Sequence, residues 1–195
     1  APALLLALLA ALALLPACAP HARDTTSATH AAPGAPSLAP RTLEAERDAL
    51  LLAMLDEQAL YTLASDLKPM SSGGWNARVA LDAPDLAGLE RTRLLLAPFR
   101  EGGEFGADFY ADIQVFATPH EGRRSVEAYV INRRALRDMI ARYPEFWAPL
   151  AITPTTHPAE VLATVERLPR LERFRGYGYL YGYPRYAVDF FVQAA

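Results

Sequence analysis

The chain has 195 residues, a single cysteine and a formal net charge of −3. That length suits one domain with extensions, and with one cysteine no disulfide can staple it, so stability must come from a packed core. The basic residues are scattered and form no stripe to track phosphates, which argues against nucleic acid as a partner.

Residues 1–17 are Ala and Leu, interrupted only by Pro2 and Pro16. Ala3–Leu15 has the length of a signal-peptide apolar core and falls short of the ~20 residues a spanning helix needs. Ala17-Cys18-Ala19 fits the small-residue rule for ordinary signal peptidase, but that cut leaves Pro20 at the new N-terminus, a poor substrate. The stretch Leu15-Pro16-Ala17-Cys18 resembles the bacterial lipobox, with Pro16 where Ala or Ser is usual. The resemblance implies that 1–17 is a lipoprotein signal peptide. It also implies that the Cys18 thiol takes a diacylglyceryl group and that the new amine is acylated. Two or three chains, at about 0.8 kcal/mol per buried CH₂, hold a protein on a bilayer without a protein span. Ala19 rather than Asp after the cysteine implies outer-membrane delivery in a cell that has one. Residues 19–40 are rich in Ala, Pro, Thr and Ser and lack apolar periodicity, so with Cys18 they read as a disordered tether, whose ends lie ~25 Å apart as a coil. His21 and His30 fall on it and read as solvated rather than as metal ligands.

Residues 41–195 read as one domain. Thr42 caps a helix with Glu44 and Glu46 in its first turn. Leu43, Leu50, Leu51, Met54 and Leu55 recur at helical spacing, continuing through Leu60, Leu63 and Leu67 after a break near Asp56-Glu57. Residues 71–74 (SSGG) read as a loop and Trp75–Leu81 as a short strand. Asp85 caps a helix over 86–97, which Pro98 stops. After a glycine-rich loop at 101–108, Phe109, Ala111, Ile113 and Val115 alternate with Asp108, Tyr110, Asp112 and Gln114. Val126, Ala128 and Val130 alternate again beyond a turn at 118–122. This predicts a hairpin, 107–117 with 125–131, having one apolar and one solvated polar face. Asn132 caps a helix over about 133–142 with Leu136, Met139 and Ile140 as its stripe. Residues 143–158 read as a proline-punctuated connection, and Thr156 as the cap of a helix over Pro158–Leu168. The fold class is therefore α+β, a small antiparallel sheet packed against several helices.

The tail, 175–192, holds five of the nine tyrosines. As a strand, Tyr177, Tyr179, Tyr181 and Tyr183 share one face, an aromatic platform for sugars or flat ligands. As a helix, Gly178 and Gly182 stand one turn apart, Gly182 ends it, Pro184 begins another, and Leu180, Val188 and Phe191 point inward. Gly178, Leu180, Gly182, Tyr183, Pro184, Val188 and Phe191 resemble the C-terminal segment of an uncharacterised bacterial family. That resemblance implies a helix–turn–helix and brings no activity with it. Gly176, Gly178 and Gly182 lack the preceding apolar strand that a dinucleotide fingerprint requires.

The surface-site candidate is 65–75. Lys68 is the only lysine among nineteen basic residues, and lysine, unlike arginine, can act as a neutral amine. Asp66, Lys68, Ser71 and Ser72, with Trp75 as a wall, form the candidate ligand-binding set. Asp108 and Asp112 are ~13 Å apart along a strand, too far to act on one bond. His120 and His157 lack partners at zinc-like spacing, and no motif calls for a cofactor or metal. The sequence thus predicts a lipid-anchored envelope protein, a non-catalytic binding or structural module. Its ligand or envelope partner would meet the polar sheet face or the 66–75 region. The alternative is a periplasm-facing hydrolase using Lys68, Ser71 or Ser72.

Overall fold

A computed structural model describes residues 42–195; Cys18, the signal peptide and the tether lie outside those residues. The described chain is α+β, as expected, with a three-stranded antiparallel sheet in the order β1-β3-β2. Helix α1, Leu43–Met54, starts where Thr42 Oγ1 accepts the Ala45 amide at 3.2 Å. It widens into a π turn, Leu55–Ala59, at the expected break, and finishes as α2, Leu60–Leu63.

The first strand corrects the sequence reading. Residues 71–74 are not a loop, because β1 runs Met70–Ala80. Its pairing with β3 breaks between Ser72↔Tyr129 and Asn76↔Glu127, leaving Gly73–Trp75 as a bulge. The glycines belong to that bulge. A Cβ on Gly74, whose φ is +74°, would lie 2.6 Å from the Met54 backbone nitrogen, so only glycine lets the strand approach α1 this closely.

Helix α3, Leu86–Leu95, is capped by Asp85 Oδ1, which accepts the Gly88 amide at 3.0 Å. Strands β2, Phe109–Val115, and β3, Arg123–Asn132, form the expected hairpin. His120 and Arg123 exchange backbone hydrogen bonds of 2.8 and 3.0 Å across its turn. Helix α4, Arg133–Arg142, follows directly. The connection after it contains a short helix, α5, Pro144–Trp147, whose Trp147 is fully buried. Helix α6, Pro158–Arg167, is capped by His157 rather than Thr156. The His157 Nδ1 accepts the Ala159 amide at 3.2 Å, while Thr156 Oγ1 accepts the Thr153 amide. Helices α7, Arg170–Leu180, and α8, Arg185–Ala194, make the expected helix–turn–helix. At the turn Gly182 has φ +81°, Tyr183 N donates to Gly178 O, and Gly182 N donates to Tyr179 O, a Schellman end. Leu180 and Val188 are buried, but Phe191 is exposed, contrary to the sequence reading.

Both sheet faces carry a packed core, so the expected solvated polar face survives only at the far end, where Asn76 is exposed and Glu127 and Gln114 are half-buried. Val126, Ala128, Val130, Ala111 and Ile113 pack against Leu50, Met54, Leu95, Leu96 and Phe99. On the opposite face Met70, Tyr110, Tyr129 and Ile131 pack against Leu136, Met139, Ile140, Trp147, Val161, Leu162, Val165 and Leu180. Alternation misled because the polar set includes tyrosines, whose rings are apolar bodies with one polar tip. Asp112 is largely covered as well. It accepts Tyr110 Oη at 3.2 Å and the Ile113 amide at 2.8 Å, and pairs with Arg93 and Arg100.

Asn132 joins the two layers. Its Oδ1 accepts the Arg134 and Ala135 amides at 3.0 Å, capping α4. Its Nδ2 donates to the Thr62 carbonyl at 3.2 Å and to Asp66 Oδ1 at 3.1 Å. Replacing it with Ala removes a cap worth about 1 kcal/mol and strands a buried carbonyl at about 1–3 kcal/mol. Asn132→Ala is therefore expected to lower unfolding free energy by about 2–4 kcal/mol in urea titrations. A loss under 0.5 kcal/mol, on the scale of an ordinary surface change, would contradict this role.

Candidate functional site

The five residues singled out in the sequence do not converge. Asp66 bonds Arg134 and Asn132 at the C-terminal end of β3. Lys68 donates to Gln58 Oε1 at 2.8 Å and lies over the Tyr61 ring. Ser71 is buried, sharing a 2.8 Å hydrogen bond with Thr62 Oγ1 and donating to the Gln58 carbonyl at 3.0 Å. Ser72 points to the other face of the sheet and shares a 3.0 Å hydrogen bond with Tyr181 Oη. Trp75 packs with the α1–α3 core. A β-strand sends neighbouring residues to opposite faces, so Ser71 and Ser72 cannot serve one surface site. With residues 71–74 in the sheet, the expected 66–75 surface loop is reduced to its first few residues.

Asp66 does border a polar cleft of about 320 Å³, together with Asp108, Asn132, Arg133, Arg134 and Arg137. The Arg134 hydrogen bond holds the Asp66 carboxyl below its ordinary value, against the opposing effect of burial, and the Arg134 charge and Asn132 amide add to the lowering. The backbone amides at the start of α4 are already taken by Asn132 and by the Asp108 carbonyl, which accepts Arg133 N at 2.9 Å.

A second concavity is apolar. The groove between α7 and α8 has a volume of about 550 Å³ and is lined by Phe174, Tyr177, Tyr181, Tyr183, Phe190 and Phe191, with Gly178 and Val188 at its base. Gly178 sets the helix spacing, since a Cβ there would meet Val188 Cγ2 at 2.8 Å. Tyr177 and Tyr181, one turn apart, stack with centroids 6.0 Å apart at 21°. Their hydroxyls are tied up inside. Tyr177 Oη donates to the buried Glu166, which also accepts the Ala117 amide at 2.6 Å and pairs with Arg173 at 3.5 Å. Burial and then Glu166 push the Tyr177 phenol up; burial does the same for Tyr181. The rings thus offer carbon to the groove while the polar tips are satisfied in the core.

The tyrosine platform is split by the helical period. Tyr179 faces the opposite way, stacked on Tyr143 at 4.3 Å and 19° within the core. Phe174 and Phe190 were not singled out in the sequence. Phe174, Tyr177 and Tyr181 follow an i, i+3, i+7 pattern, the signal that would have found the first. Among the described residues no helix is long and apolar enough to cross a membrane. No family model, curated protein or solved structure matches the chain.

The Asp66–Arg134 pair fixes a pH dependence. A carboxyl held low in the folded state adds stability above its unfolded pKa of about 3.9, and that contribution is lost as pH falls through the folded value. Between about pH 4 and pH 2, Asp66→Asn is expected to lose less stability than the wild type, read from urea midpoints. Parallel acid limbs for the two proteins would contradict it.

Proposed function

We propose that this protein is a non-catalytic binding module, held at the cell envelope by lipid on Cys18, whose α7–α8 groove takes a flat, largely apolar small molecule. The groove carries the reading. Its volume falls within the ~300–1,000 Å³ range of small-molecule sites, and it joins aromatic walls to few polar groups, the usual composition of such sites. The stacked Tyr177–Tyr181 pair gives a planar ligand a face to lie on. Phe190 and Phe191, at 74% and 56% exposed, present large aromatic side chains to solvent at the groove, and Tyr186 on the same helix is 78% exposed.

The hydrolase reading has less support. Lys68 and Ser71 both bond Gln58, at its side chain and at its carbonyl, Ser72 bonds Tyr181, and neither serine hydroxyl bonds Lys68, whereas a nucleophile needs its base within hydrogen-bond reach. The lipobox supports the anchor, residues 18–40 would be its tether, and Ala19 supports outer-membrane delivery facing the periplasm or the surface. Envelope proteins remain the class of partner such a location offers.

The groove is tested with the neutral planar probe N-phenyl-1-naphthylamine, titrated by fluorescence into the full-length protein. Saturable binding is expected, weakened about tenfold or more by the double variant Phe190→Ser/Phe191→Ser, since burying one Phe is worth about 1.5–3 kcal/mol. Equal affinity in wild type and variant would overturn the groove as the site. The anchor is tested separately by intact mass of the mature chain. Diacylglyceryl and acyl mass on Cys18 is expected, and a mature chain starting at unmodified Pro20 would overturn anchoring while leaving the groove untouched.

A further inference from the structure

A third cavity, of about 450 Å³, lies on the far side of Arg133 and Arg137 from the Asp66 cleft. Its walls are Leu136, Pro154 and Pro158, and its polar groups are Thr155, Thr156, His157 and the two arginines, with Glu101 at its mouth. Arg133 is fixed before any ligand arrives. Its Nε donates to the Phe109 carbonyl at 3.3 Å and its guanidinium lies 5.5 Å from the Tyr110 ring centroid. Yet its Nη2 is buried and makes no hydrogen bond. Its ion-pair partner, Glu101 Oε1, stands 3.8 Å away, beyond hydrogen-bond reach. His157 is equally constrained. Because Nδ1 accepts the Ala159 amide, the proton of the neutral ring sits on Nε2, which faces Glu101 Oε1 at 3.2 Å. Arg137 makes no ion pair among the described residues.

One carboxylate oxygen therefore faces two donors, Arg133 and His157, and satisfies only one of them well. It comes from a side chain that is 70% exposed, so the pair it makes with Arg133 is a weak surface contact that the carboxylate leaves by turning its own rotamers. Two arginines against one glutamate leave the cavity with positive charge when Glu101 is present and more when it swings out. A guanidinium fork held in place matches a carboxylate or phosphate bidentately, and the proline and leucine walls suit a small apolar body behind the anionic head. We propose that this cavity binds a small oxyanion, a carboxylate or phosphate, between Arg133, Arg137 and His157, and that Glu101 is an internal stand-in which the ligand displaces. This goes beyond the α7–α8 groove and does not depend on it.

The test uses sodium benzoate and inorganic phosphate as probes, titrated into the full-length ¹⁵N-labelled protein and followed by amide shifts. At least one is expected to saturate, with shifts centred on Glu101, Arg133 and 155–159. Glu101→Gln, which removes the competing charge, is expected to tighten binding about fivefold or more. Arg133→Lys, which keeps charge but loses the fork, and Arg137→Gln are each expected to weaken it about tenfold, with near-ultraviolet circular dichroism confirming an intact fold. The proposal is overturned if neither probe binds wild type or Glu101→Gln, if Glu101→Gln binds no tighter than wild type, or if the shifts map to α7–α8 instead.

Discussion

The side-chain amide of Asn132 holds groups from opposite faces of one sheet. Its oxygen starts α4, which covers one face, and its nitrogen fastens the end of α2, which belongs to the other. A buried amide with every hydrogen bond made is costly to disturb, because each partner loses its only compensation for leaving water. Its position is itself fixed by the sheet, since Asn132 pairs with Phe109 at the end of the central strand and its amide donates to the Pro69 carbonyl at 2.9 Å. The two helical layers are thus registered against each other at one residue.

That registration determines where function can sit. With apolar side chains packed on both faces, the sheet leaves a ligand only its far end, around Asn76, Ser125 and Glu127. What remains is the periphery, the seam between α7 and α8 and the arginine-flanked hollows at the start of α4. The two regions differ in chemistry for a local reason. Around α4, Arg133, Arg134 and Arg137 follow one another at the helix start and flank the cap. Along α7, the buried Glu166 draws the Tyr177 hydroxyl inward and turns the remaining ring outward.

Most elements were legible in the sequence because their signals are local. Thr42, Asp85 and Asn132 are caps whose oxygens reach the amides two or three residues on, and each was read correctly. The hairpin followed from alternation. Residues 71–74 read as a loop because glycine pairs look alike in a turn and in a strand pressed against a helix; only the neighbouring Met54 backbone distinguishes them. His157 displaced Thr156 as a cap because an imidazole nitrogen can accept the same amide, a substitution outside the usual Ser, Thr, Asp and Asn set. The candidate site failed for a geometric reason. Ser71 and Ser72 are neighbours in sequence, but strand alternation sends them to opposite faces, and Ser71 is buried beneath Gln58 while Lys68 lies outside over Tyr61. The groove joins residues from two helices around a turn, and no spacing rule within a single element brings Phe174 beside Phe190.

The interrupted ladder of β1 has one more effect. An outermost strand with a straight run of free amides and carbonyls invites another extended chain to dock alongside and propagate a stack. Here the rim is bent midway, where the Gly73–Trp75 backbone leaves the plane and the turn of Leu55–Ala59 sits against it. The irregularity that lets helix and strand touch therefore also guards this margin against fibril-like self-association.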